Sequence, residues 1–191
     1  MRNIILASSS ARRKALLEQI GLTFKIDTGV QEEADFISQD PEQLVQEVSL
    51  KKAESVATHY SDALIIAADT IGVIGNRIIG KPHSEQEAGE ILSLLSGRAH
   101  AVITGFTVLD TATGKSVSKS VYTTVYFKRL TKAEIEAYVE TGEPLDKAGA
   151  YAIQGLGALF VEKIDGDYFN VVGLPLAALT DVLKEFGVKV L

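Results

Sequence analysis

The chain opens with a short apolar run, Ile4-Ile5-Leu6-Ala7, followed by three serines and then by a stretch in which Leu16, Leu17 and Ile20 recur at helical spacing. That change of rhythm predicts a strand, a serine loop and a helix. Another strand follows, then a polar segment around Gly29 to Asp40. Asp40-Pro41, with Gln43 three residues after the aspartate, predicts a second helix with a capping-box-like start. The apolar run Ala63 to Ala68 predicts a buried strand, and Ile71 to Ile79 a hairpin turning at Gly75-Asn76. Ser84 with Glu87 caps a helix that extends to Ser96 and that Gly97 ends. Two alternating strands turning near Gly114 come next. A helix then begins at Thr131, with Glu134 in the capping-box position, and stops at Gly142. In the last third, Ala158 to Ile164 and Tyr168 to Val172 flank an Asp165-Gly166 turn and repeat the hairpin theme. Pro175 starts a terminal helix through Leu176, Leu179, Leu183 and Phe186.

Hairpins interspersed with helices argue against an all-parallel sheet, so the expected fold is α/β with a mixed, twisted sheet flanked by helices. The chain contains no internal repeat, low-complexity segment or Pro/Gly/Ser-rich linker. It therefore reads as a single domain over residues 1–191, with a lobe boundary near Gly97 more natural than independent domains.

With 46% hydrophobic and 23% charged residues in a chain of 191, disorder is excluded and a sizeable core is affordable. The formal net charge of −6 argues against a nucleic-acid polymer as partner, because phosphate polymers select broad basic surfaces. Any phosphate site must be local. Zero cysteines exclude disulfides, thiolate metal sites and a cysteine nucleophile. The opening apolar run is too short for a secretory signal, and no stretch approaches the roughly 20 apolar residues that cross a bilayer. The expectation is a cytoplasmic protein without a membrane partner.

Three features carry candidate chemistry. The first is the sequence Ser8-Ser9-Ser10 followed by Arg12-Arg13-Lys14. Cations are disfavoured in a helix's first turn, which already presents exposed N–H groups and partial positive charge, so an anion is needed to relieve them. Hydroxyls, backbone donors and cations together suit phosphate. Arg13 shares a face with Leu16, Leu17 and Ile20 and is expected to point inward. Arg12 lies on the edge of that face, and Lys14 is turned toward solvent. The second feature is Lys52, which helical spacing drops into the stripe Leu44, Val45, Val48 and Val56. Its readings are a snorkelling lysine or a phosphate contact. The third is Ile65-Ile66-Ala67-Ala68-Asp69-Thr70, an apolar strand expected to deliver a carboxylate and a hydroxyl at its end, where sites are often built. Lys81, in Gly80-Lys81-Pro82, adds a lysine to a rigid loop before a helix.

Glu32-Glu33 read either as a solvated loop or as part of a metal site. Carboxylates lining a phosphate site would repel the ligand unless a hard cation such as Mg²⁺ lay between them. There is no Gly-x-x-x-x-Gly-Lys-Ser/Thr loop, the dinucleotide fingerprint lacks its third glycine, and His59, His83 and His100 are too scattered to pair on a metal.

With these residues assembled, the chain resembles the Maf family of nucleoside triphosphate pyrophosphatases, which is related in fold to the inosine triphosphate pyrophosphatases. The resemblance rests on Leu6-Ala7-Ser8-Ser9-Ser10-Ala11-Arg12-Arg13, Ala68-Asp69-Thr70, Gly80-Lys81-Pro82 and Leu95-Ser96-Gly97-Arg98. It continues through Asp146-Lys147-Ala148-Gly149-Ala150-Tyr151, Ile153-Gln154-Gly155 and Val172-Gly173-Leu174-Pro175. It implies two lobes around a cleft, and hydrolysis of a nucleoside triphosphate to the monophosphate and pyrophosphate, with metal-assisted attack of water on the α-phosphorus. By the resemblance Asp69 is the catalytic proton acceptor, Glu32 and Asp69 hold a divalent cation, Mg²⁺ or Mn²⁺, and Ser8, Arg13, Lys52 and Lys81 bind phosphate. Arg12, Thr70 and Gln154 match the set associated with dTTP and UTP, with modified pyrimidine nucleotides as a further expectation. The methylated-GTP branch carries a tryptophan, a glutamine and a glutamate there. Ala11 departs from the proline common before the arginines. A homodimer is a family-level expectation. The alternatives are a nucleotide-binding regulator of septum formation that does not need turnover, and a phosphatase that releases orthophosphate.

Overall fold

The structure is a computed structural model that describes residues 2–29 and 40–191. Its elements are β1 (Ile4–Leu6), α1 (Ala11–Gln19), β2 (Lys25–Ile26), α2 (Pro41–Ala57), β3 (Leu64–Ile74), β4 (Arg77–Ile79) and α3 (Glu85–Leu95). These are followed by β5 (Ala99–Asp110), β6 (Ser116–Phe127), α4 (Lys132–Glu140), β7 (Val161–Asp165), α5 (Tyr168–Val172) and α6 (Leu176–Glu185). The described strands form one sheet in the order β2-β1-β3-β5-β6-β7, with β4 paired on β3. It is mixed, as expected: β1 runs parallel to β2 and β3, whereas β3 with β4 and β6 with β7 are antiparallel.

Local chemistry explains most element ends. The Ser10 hydroxyl accepts the Arg13 N–H and opens α1, and Ser84 does the same for Glu87 at α3. Thr131 and Glu134 form a reciprocal capping box at α4. Asp40 caps α2 by accepting the Glu42 N–H, and Pro41 takes the first helical position, where its missing donor costs nothing. Gly97 and Gly142 adopt positive φ at the ends of α3 and α4.

Three expectations are corrected. β3 does not stop at Ala68 but continues to Ile74, so Asp69 and Thr70 lie inside a strand and not at its end. β1 pairs with its first part at Leu64, Ile65 and Ile66, and β4 with its last part at Gly72, Val73 and Ile74, which holds the polar middle extended. β5 does not alternate, because all of it except Ala99 is buried. Tyr168–Val172 is a helix and not the second arm of a hairpin. The Asp167 carboxylate accepts the Phe169 N–H at 2.7 Å and turns the chain into it.

The chain divides into two compact units. One holds residues 1–69, 104–121 and 173–191, and the other 70–103 and 122–172. In the first unit, Ala53 and Val56 of α2 pack with Ile5, Ala7, Ile65, Ala67 and Leu109. Here α2 approaches β5 so closely that a Cβ at Gly105 would lie 2.3 Å from the Val45 carbonyl. In the second unit, α3 and α4 bury Ala88, Ile91, Leu92, Leu95, Ile135 and Val139 against an aromatic group of Phe127, Tyr138, Tyr151 and Phe160.

Candidate active site

The serine loop and α1 turn a stretch of sequence into a donor cluster. Ser8 is buried, and its hydroxyl oxygen accepts the Ser10 N–H at 3.2 Å and Arg13 Nη1 at 3.3 Å. Arg13 Nε donates to the Gly173 carbonyl at 2.8 Å, tying the helix start to the Val172-Gly173-Leu174-Pro175 segment. The inward direction expected for Arg13 is therefore observed. Burial pushes its guanidinium down to about 10, while the Asp69 charge opposes that and the Arg12 charge reinforces it. At neutral pH it stays a cation facing a carboxylate. Arg12 is half-buried, and Lys14 is exposed beside Glu18 at 3.7 Å.

Lys52 projects from the apolar face of α2 between Val48 and Val56. Its ammonium donates to Asp69 Oδ1 at 2.6 Å. Both side chains are partly buried, at 30% and 24% exposure, so the pair is shielded yet reachable. The ion pair itself is neither simple snorkelling nor a phosphate contact. An ammonium has three donors, and this contact uses one of them. Ser8, Arg13, Lys52 and Asp69 thus belong to one unit and form a linked set of cations, hydroxyl and carboxylate.

The other predicted residues belong to the second unit. Thr70 follows Asp69 on β3 and is half-buried. Lys81 is exposed in the loop from β4 to α3, where the Gly80 carbonyl accepts the Gly149 N–H at 3.0 Å. Gln154 is exposed in the turn before a 3-10 helix at Leu156–Phe160. Glu32 and Glu33 lie outside the described residues, so the metal pair Glu32 and Asp69 is described only at Asp69. Among the described residues, no group of three or more histidine, aspartate or glutamate side chains is arranged to hold a metal ion. No helix among them is long and apolar enough to cross a membrane.

A family model described as Maf-like protein matches residues 3–186. The chain belongs to the Maf family. Among its relatives in this family are the dTTP/UTP pyrophosphatases of Methanosarcina barkeri (strain Fusaro / DSM 804) and Alkaliphilus metalliredigens (strain QYMF). The first is 50% identical over 191 residues, which is 100% of this chain and 97% of that protein. The second is 50% identical over 193 residues, covering 100% of both chains. The dTTP/UTP pyrophosphatase of Bacillus cereus (strain AH820) is 48% identical over 190 residues, covering 100% of this chain and 98% of that protein. The solved Staphylococcus aureus Ham1 protein is a remote likeness, with a TM-score of 0.46 and 13% identity over 66% of this chain and 72% of that one.

This Maf-family chain also has functional-looking residues to which sequence reasoning gave no role. Gly149 and Ala150 both have positive φ, and Ala150 is the one non-glycine among the described residues that does. Such strain persists only where the surroundings enforce it. His100 is buried and bonded through Nε2 to the Tyr151 hydroxyl at 2.9 Å, and Nδ1 has no partner among the described residues. Tyr138 and Glu143 bond each other at 2.7 Å. The motif Asp146 to Tyr151 marked the neighbourhood, but no local pattern paired His100 with a residue so far along the chain.

Proposed function

We propose that the protein hydrolyses nucleoside triphosphates, dTTP and UTP among them, to the monophosphate and pyrophosphate. The reading is supported by full-length relatives that carry the name dTTP/UTP pyrophosphatase. The structural observation that carries it is the Lys52–Asp69 pair in the same unit as the half-buried cation Arg13 and the Ser8 hydroxyl.

The chemistry follows from the parts. A triphosphate is multiply charged, and its α-phosphorus repels an incoming water unless cations neutralise the phosphoryl oxygens. Arg13 and Lys52 are suited to that task, and Lys81 is a further lysine that the family resemblance assigns to phosphate. Ser8 already accepts two hydrogen bonds, so the natural role of its hydroxyl proton is donation to a phosphate oxygen. Asp69 orients the water and takes its proton as the oxygen bonds to the α-phosphorus. The bond from that phosphorus to the α,β-bridging oxygen breaks, and the electron pair leaves with pyrophosphate. Lys52 holds the Asp69 carboxylate by one oxygen and so fixes its direction.

Asp69 is also a hard-oxygen donor of the kind Mg²⁺ or Mn²⁺ takes, since such ions use one or two carboxylates together with phosphate oxygens and water. Held there, such a cation would supply charge neutralisation to the phosphate and activation to the attacking water. Arg12, Thr70 and Gln154 are the residues assigned to the base. Thr70 and Gln154 supply both donors and acceptors, which a pyrimidine edge requires.

The test is incubation with dTTP, UTP, CTP and GTP plus Mg²⁺ or Mn²⁺, with pyrophosphate and orthophosphate assayed separately. Equal amounts of pyrophosphate and monophosphate are expected, fastest for dTTP and UTP. Orthophosphate as first product overturns the reaction, and tight binding without product favours a regulatory role.

A further inference from the structure

The segment carrying Gln154 is held by an arrangement that the proposed reaction does not use directly. Tyr138, on α4, has its hydroxyl buried near Ala152 and Gly157. It accepts the Ala152 N–H at 3.1 Å and donates to Glu143 Oε1 at 2.7 Å. Glu143 in turn accepts the Gly157 N–H on Oε1 and the Leu156 N–H on Oε2, both at 3.1 Å. One tyrosine–glutamate pair thus grips the chain on both sides of Ile153-Gln154-Gly155. It leaves those three residues as an arch between fixed ends, closed by the Gly155 N–H on the Ala152 carbonyl at 3.1 Å.

Packing enforces the same geometry. A Cβ at Gly155 would lie 2.3 Å from Glu143 Oε2, and one at Gly157 would lie 2.7 Å from the Tyr138 hydroxyl. Both glycines are therefore needed for the backbone to come this close to the pair. The protonation states suit the roles. Burial, followed by the bond to Glu143, raises Tyr138, so it stays a phenol. Burial pushes Glu143 up, but the bonds from Tyr138, Gly157 and Leu156 outweigh that and hold it below the usual carboxylate range. A carboxylate spending its acceptors on backbone N–H groups is a rigid anchor, since a buried N–H left without a partner is costly.

The geometry points to Tyr138 and Glu143 as positioning residues for base choice, because they hold Gln154 at the apex of an arch pinned by the Tyr138–Glu143 clamp. This rests on the reading that Gln154 meets the base. Neither clamp residue needs to touch the nucleotide. Loosening the clamp lets the exposed Gln154 amide wander, which weakens discrimination between bases more than it slows the chemistry on a bound triphosphate.

The test compares Tyr138→Phe, Glu143→Gln and Gln154→Ala with the unaltered protein, measuring kcat and KM for dTTP and CTP. Tyr138→Phe keeps the ring that packs edge-on against Phe160 at 4.9 Å, and removes only the hydroxyl. The expected result is a preference for dTTP over CTP in kcat/KM that falls roughly tenfold in all three variants, the worth of about one lost hydrogen bond. In the two clamp variants the loss appears mainly as a higher KM for dTTP. Folded clamp variants that keep the full preference, while Gln154→Ala loses it, overturn the clamp and leave the role of Gln154 standing. A Gln154→Ala protein with unchanged preference overturns both. Amide exchange in the unaltered protein adds an arm that does not depend on any variant folding: Leu156 and Gly157 should be protected, and fast exchange at both overturns the clamp.

Discussion

The two compact units differ in the most shielded of their titratable side chains. In the first, the ionisable side chains Arg13, Lys52 and Asp69 are partly withdrawn from water, and each is held by a partner: Ser8 and Gly173 for Arg13, and Lys52 with Asp69 for one another. In the second, burial keeps His100 neutral, pushed down to about 4, and keeps Tyr138 and Tyr151 protonated. Charge survives desolvation only where an opposite charge or several hydrogen bonds meet it. The first arrangement suits work on a polyanion. The neutral cluster of His100, Tyr138 and Tyr151 suits a scaffold that must hold a shape.

The sharpest way to break this contrast is Asp69→Asn, which keeps the size and removes the charge. Turnover on dTTP should drop roughly 10³-fold while circular dichroism stays unchanged. A folded, fully active variant removes Asp69 from the catalytic role. The next effect belongs to the neutral side. An unfolded histidine takes its proton near pH 6.5, whereas folded His100 does so only near 4. Its contribution is therefore complete above pH 6.5 and is lost as pH falls toward 4, by about 3 kcal/mol. His100→Gln should flatten that part of the stability profile in urea titrations at successive pH values. An unchanged slope means His100 is not the group responsible.

Gly105→Ala probes how firmly α2 must lie on β5 for Lys52 to reach Asp69. Its new Cβ meets Val45 backbone and not a movable side-chain tip, so the helix itself must shift. A loss of roughly 2 kcal/mol in thermal or urea unfolding is expected, together with lower activity. Full stability and activity would show that α2 has slack. The smallest effect is at α4, where Glu134 is lowered to about 2 by its bonds from Lys128 and then from the Thr131 backbone and hydroxyl. The stability it adds is present above about pH 4.5 and is lost as pH falls toward 2. The melting-temperature gap between the protein and Glu134→Gln should therefore narrow over that range. A gap that stays constant assigns the loss to the altered cap and not to the charge.

Much of the site was legible because its parts are local. Ser8, Arg13 and the apolar positions of α1 lie within four turns of chain, and helical spacing alone turns Arg13 inward. Lys52 was conspicuous for a similar reason, as a charge among Val48 and Val56. Its partner was not, since a bond between residues 52 and 69 depends on how α2 lies over β3. Asp69-Thr70 looked like a strand end because aspartate is poor in strands, yet ladders from β1 and β4 carry β3 through it. In the same way Tyr168–Val172 has the aromatic and β-branched look of a strand, and only the Asp167 cap and the buried bonds of Asn170 to Val102 and Thr123 make it helical.

What the sequence by itself determined were the helix starts, the glycine stops, the inward arginine, the mixed character of the sheet and the motifs that resemble the Maf family. Each depends on residues close together in the chain, where side-chain chemistry acts directly on its own backbone. What only the tertiary structure decided were the pairing of Lys52 with Asp69, the continuity of β3, the neutral His100 and the grip of Tyr138 and Glu143 on the Gln154 arch. Each of these is fixed by desolvation and hydrogen bonding between separate elements, which local side-chain pattern does not encode.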